Sequence, residues 1–223
     1  MSIDDTNPSH TAAATIFWSV AASCALHGFS ATVAGMALAP GLAERFLIVD
    51  RSADIQHTLA EARTRLTDRE TFAEVELLIG SVEEYVSAEA WSQVLLRDHI
   101  LVELISDFLD RVEPNLEPQL HPECGSFGPW LGRGTESRVR WDAAMHQVLA
   151  AKRDKSGDSL FARRLVGEVL SVAQRLFARH QGLTSALTHA GSGEFDDLDL
   201  INEVMAGVLG GHDQRMIELG LEP

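Results

Sequence analysis

Thr11-Ala-Ala-Ala-Thr-Ile-Phe-Trp-Ser-Val-Ala-Ala-Ser-Cys-Ala-Leu-His-Gly-Phe-Ser-Ala-Thr-Val-Ala-Gly-Met-Ala-Leu-Ala-Pro-Gly-Leu-Ala43 contains no Asp, Glu, Lys or Arg. An uncharged run of this length is either a membrane span or the centre of a large helical core, because a helix that is apolar all round has to be buried in something. Ser19, Ser23, His27, Ser30 and Thr32 interrupt the apolar residues, Asp4 and Asp5 precede the run, and Arg45 is the first basic residue after it. It therefore lacks the basic flank that orients a span, and the positive start of a secretory signal is missing as well. The expectation is a buried central helix with no membrane association.

Pro8-Ser9 and Pro40-Gly41 bracket this helix at about 9–38, behind a loose polar stretch over 1–10. Leu42, Phe46, Val49, Ala53, Leu59 and Leu66 recur at helical rather than alternating spacing, predicting a second helix over 42–66. Thr67-Asp68 caps a shorter acidic helix reaching about 81. Trp91, Leu95, His99, Val102, Ile105 and Leu109 mark a long helix over 88–112. Residues 113–134 hold Pro114, Pro118, Pro122 and Pro129 with four glycines, so regular structure stops there. Helices resume over 135–152, 159–180 and 197–219, with Gly182 and Gly220 where C-caps are wanted. With no strand-like alternation and no repeat, the chain reads as one all-α domain over residues 1–223.

Acidic residues outnumber basic ones by 33 to 18, a formal charge of -15 that disfavours a nucleic-acid partner. Two cysteines, Cys24 and Cys124, form no CxxC pair and are too few for a disulfide framework, which fits a reducing cytoplasm. No phosphate loop, dinucleotide fingerprint or nucleophile elbow occurs. The remaining chemistry is carboxylate and imidazole at helical spacing. Asp54 and His57 share a helix face one turn apart, as iron or manganese would accept and as a solvated surface also produces. Glu103 interrupts an apolar stretch one turn after His99; it is either a metal-binding or acid/base carboxylate or a buried Glu paired with Arg or His. Asp142 and His146 form an i, i+4 pair near Glu136, and salt bridges to Arg138 and Arg140 account for them equally well. His27, on the uncharged helix, is a core histidine or an acid/base group. Phe127, Trp130 and Trp141 are candidates to line a pocket or simply to pack.

Phe161-Ala-Arg-Arg-Leu-Val-Gly-Glu-Val-Leu-Ser-Val-Ala-Gln-Arg175 and the terminal Asp213-Gln-Arg-Met-Ile-Glu-Leu-Gly-Leu221 resemble actinobacterial ferritin-like proteins related to the tRNA hydroxylase branch. Ala39-Pro-Gly-Leu-Ala-Glu-Arg45 with Asp54-x-x-His57, and Arg97-Asp-His-Ile-Leu-Val-Glu103, are similar to that family's second and third helices. The resemblance implies a ferritin-like bundle with additional C-terminal helices, and a di-metal centre of iron or manganese drawing on Asp54, His57, Glu103, Asp142 and His146. Two features depart from the family. No carboxylate lies between Asp5 and Glu44, where the first helix should supply one, and the second Glu-x-x-His is absent, with Glu136, Asp142 and His146 its nearest substitutes. A di-metal site short of carboxylates loses at least one metal position. The leading expectation is thus a bundle enzyme of bacterial small-molecule metabolism, metal-free or with an altered site, using His27, Asp54, His57 and Glu103 on a substrate in its interior. A di-iron or manganese oxygenase and a non-catalytic binding or assembly protein are the alternatives, and a homodimer is compatible with each.

Overall fold

The computed structural model describes residues 8–112, 132, 134–180 and 194–223. Among the described residues seven α-helices follow in chain order: α1 (Pro8–Ala34), α2 (Leu42–Arg65), α3 (Arg69–Tyr85), α4 (Trp91–Val112), α5 (Glu136–Ala151), α6 (Ser156–Arg179) and α7 (Glu194–Glu218), with a 3-10 turn, Gly35–Ala37, closing α1. Among the described residues there is no strand. The fold is all-α, as the periodicity predicts. Gly182, Cys124, Phe127 and Trp130 lie outside the described residues.

Local signals set the helix ends. Asp68 accepts the Glu70 amide at 2.9 Å and so caps α3; Thr135 accepts the Arg138 amide at 3.2 Å and caps α5. Gly220 ends α7 in the left-handed conformation at φ 67°. There the Leu221 amide reaches the Met216 carbonyl at 2.8 Å and the Gly220 amide that of Ile217 at 2.9 Å, the paired bonds of a Schellman stop.

The uncharged helix does become a core element. α1 packs on α2 and α3, burying Phe17, Trp18, Ala21, Ala22 and Ala25. By length and composition alone, Ala14–Ala37 is apolar enough to cross a membrane; here half of its most apolar 18-residue window is buried within the protein. The second half of the bundle forms around α4, which meets α5, α6 and α7, while α2 touches α5 and α3 touches α6. Trp141 anchors α5 to α4, donating from Nε1 to the Leu95 carbonyl at 3.1 Å and meeting Trp91 edge to face at 6.1 Å. The α1 terminus approaches α4 closely at Gly35, where a Cβ would stand 2.5 Å from Val94 Cγ1.

α2 is turned differently from what its apolar residues suggest. Ile48, Arg51, Ser52, Ile55, Thr58 and Ala62 face inward, whereas Leu42, Phe46 and Val49 are 69%, 58% and 53% exposed. The first part of the stripe marking the helix in the sequence, Leu42 to Ala53, is thus its outer face, while Leu66 at its end packs on the core and the buried stripe carries an arginine.

Candidate functional site

Between the two halves lies a cavity of about 590 Å³, walled by α1, α2, α3, α4, α6 and α7. Most of the wall is apolar, including Leu101, Ile105, Phe108, Leu170 and Phe177. The exposed residues Ser30, Ala34 and Ser87 belong to the wall too, so the cavity meets solvent beside them. Cys24 also lines it, and burial pushes its thiol up to about 12, leaving it un-ionised and inert at neutral pH.

One section of the wall is polar, formed by His27 of α1, Glu83 of α3 and Arg97 of α4. Glu76, Gly80 and Glu83 fall on one face of α3. With no side chain at Gly80, the His27 ring approaches α3 closely; a Cβ there would stand 2.9 Å from its Cε1. Nε2 of His27 is 3.2 Å from Glu76 and Nδ1 is 3.4 Å from Glu83. The other oxygen of Glu83 accepts from Arg97 Nη2 at 3.0 Å. Burial pushes the Arg97 guanidinium below its ordinary value, partly offset by the charge and hydrogen bond of Glu83. His27, Glu83 and Arg97 all line the cavity.

A second polar cluster, sharing Arg51 and Asp98 with the cavity wall, is organised by two buried arginines, Arg51 and Arg138. Arg51 donates from Nε to both oxygens of Asp98, at 3.1 and 3.0 Å. Arg138 reaches Asp98 at 3.1 Å, Asp142 at 3.0 Å, His99 Nδ1 at 3.0 Å and Glu103 at 3.4 Å. His99 Nδ1 also stands 3.0 Å from Asp142. Burial alone raises the Asp142 carboxyl, but the His99 hydrogen bond and the Arg138 charge outweigh it and hold it below the usual carboxylate range. Asp54 is taken up differently: Thr135 donates to Oδ2 at 2.9 Å, Ser137 donates to the same oxygen, and Arg51 Nη1 lies 3.9 Å away.

The residues singled out by sequence therefore divide. His27 stands on the cavity wall, while Asp54, Glu103 and Asp142 join the arginine-centred cluster. His57, His146 and Glu136 are exposed. This arrangement does not fit the di-metal centre that the family resemblance implies. Guanidinium or hydroxyl groups already engage the carboxylates, two expected imidazoles face solvent, and among the described residues no group of three or more His, Cys, Asp or Glu is placed to hold a metal ion. The sequence did not single out Arg51, Arg97, Asp98, Glu76 or Glu83, whereas Arg138, named there as a salt-bridge partner of Asp142, does bond that carboxylate. The available signal was Arg51 at the spacing of Ile48 and Ile55, a charge on an otherwise core-facing stripe.

No protein-family model matches the chain, and no characterised protein does.

Proposed function

We propose that this chain is a ferritin-like bundle in which arginines take the place of metals, and that it binds a small organic molecule in its central cavity and acts on it by acid–base chemistry. One observation carries this reading: His27, set between Glu76 and Glu83, lines a cavity of about 590 Å³. That volume lies within the roughly 300–1,000 Å³ of small-molecule sites, with an apolar wall and a few convergent polar groups. Imidazole is the side chain best suited to move a proton near neutral pH, and its carboxylate neighbours fix the ring and balance the charge it gains. The cluster around Arg51 and Arg138 braces the wall, since Arg51 and Asp98 belong both to that cluster and to the cavity. The small-molecule partner belongs to cytoplasmic, biosynthetic-type metabolism on this account.

The test is a mass-spectrometric screen of a bacterial metabolite extract, incubated with wild-type protein or His27→Gln in the presence of EDTA. A compound consumed by wild type and spared by the variant supports the proposal. Consumption that requires added iron or manganese, or that persists in His27→Gln, contradicts it.

A second reading, pairing with another copy of the chain, is favoured by the exposed Leu42, Phe46 and Val49 on α2. Their i, i+4, i+7 spacing gives a continuous apolar strip suited to a two-fold helix contact.

A further inference from the structure

The lining of the cavity on α4 starts at Val94 and continues to Leu109, about 22 Å of helix. α6 runs parallel to α4: Ser92 donates to Asp158 at 2.7 Å in their first turns, and Phe108 meets Phe177 at 6.0 Å towards their ends. At this later end α7 adds Met205 and Val208, tied to α4 where Arg111 donates to the Gly207 carbonyl at 2.9 Å. Among the described residues, every lining residue of α6 and α7, and every one on α4 from Leu101 onwards, is apolar, and none of them is exposed.

Charge and access gather at the other end. Arg97 and Asp98 follow Val94 by about one turn, and Gly35 packs on Val94, which brings the end of α1 to the same place. His27 and Glu83 stand three and four residues from Ser30 and Ser87, which with Ala34 are the exposed lining residues. Arg51 and Asp98, and Arg97 and Glu83, cancel in pairs at 3.0 Å, and His27 has Glu76 beside it. A charged ligand head would find no spare counter-charge here, and an uncompensated ion is costly to bury. Beyond this section an apolar trough, closed at its far end, is filled best by a chain entering tail first, because each methylene buried adds to binding.

We propose that the ligand is an uncharged single-chain lipid, such as a long-chain alcohol or its ester, with its head at the mouth and its chain laid along α4 towards Phe108 and Phe177. This rests on the cavity-binding reading above and adds the chemical class of its ligand. It brings the functional group, rather than the chain, to the section of wall that holds His27.

The experiment is displacement of an apolar naphthylamine dye from the whole protein at neutral pH by 1-hexanol, 1-octanol and 1-decanol, with menthol, decanoate and decylammonium beside them. Affinity should rise about fourfold per methylene from hexanol to decanol. Menthol folds as many carbons as decanol and one hydroxyl into a compact ring, and should bind at least about tenfold more weakly than decanol, as should both charged chains. Ala173→Leu thickens the apolar end of the wall and should weaken decanol while sparing hexanol. The wild-type ratios decide the matter even if that variant does not fold. Menthol binding as tightly as decanol, no rise along the alcohols, or decanol undisturbed by a folded Ala173→Leu protein overturns the chain assignment. Tightest binding of decanoate or decylammonium overturns the uncharged head. Each of these outcomes leaves cavity binding standing, whereas failure of every compound to displace the dye overturns both.

Discussion

Gly80 sets the position of His27 by what it lacks. A methyl group at residue 80 would push the imidazole off α3 and away from Glu76 and Glu83. Gly80→Ala is accordingly expected to lower turnover of the cavity substrate by at least about tenfold, within the range that positioned acid–base groups contribute. Stability should change by no more than about 1 kcal/mol, since alanine is the better helix former. Turnover assays paired with urea unfolding check this, and an unchanged rate would remove His27 from the chemistry. The spacing of Glu76, Gly80 and Glu83 was present in the sequence, but it became meaningful only once α1 was known to pack on α3. His27 itself was legible as a lone titratable group on an uncharged helix. Glu103 and Asp142 were equally visible as candidates. Their partner Arg138 was visible as one possible salt-bridge partner of Asp142, a bridge the structure contains; what the sequence did not show is that Arg138 is only 6% exposed in its side chain and bridges Asp98 and Glu103 as well.

Helix positions could be read closely because each end has a local cause: proline and glycine after α1, Asp68 before α3, Gly220 after α7. Helix rotation could not. Along α2, Leu42, Phe46 and Val49 form one stripe and Ile48, Arg51 and Ile55 another, and both carry large apolar residues. Tertiary packing chose the second because Arg51 has Asp98 to pair with across the bundle, a partner forty-seven residues away. The outer stripe is then left without cover in a single chain. If it pairs two copies, Phe46→Glu should halve the mass measured by light scattering without reducing helix content. A wild-type protein that is already monomeric at micromolar concentration would contradict that pairing.

The whole molecule depends on buried polar groups as well as on its apolar core. His212 on α7 is 4% exposed, and burial pushes its pKa below the ordinary 6.5, aided by the charges of Arg215 and His99 and opposed by Asp213 and Asp107. The folded state therefore holds this ring neutral, and as pH falls below about 6.5 the unfolded chain takes up the proton first. The stability contributed by the neutral ring is complete above that pH and is lost as pH falls towards the lowered folded value. Thermal unfolding at pH 7 and pH 5.5 should show a smaller loss of Tm in His212→Gln than in wild type; equal losses would exclude His212 as a source. An all-helical fold was legible at this scale from periodicity alone. The cavity was not, because it arises from the way six helices separated in sequence fail to close on one another.

Dye binding to the cavity is the most direct test. Gly28 lines it, and a Cβ at that position meets nothing within 4 Å, so Gly28→Leu should fill the space without disturbing the surrounding helices. The account predicts that wild type binds one apolar naphthylamine dye per chain with enhanced, blue-shifted fluorescence, and that Gly28→Leu loses this signal while keeping its circular dichroism and Tm. Undiminished dye binding by a folded Gly28→Leu protein would mean that the dye sits elsewhere, and would contradict the cavity as the place where this protein works.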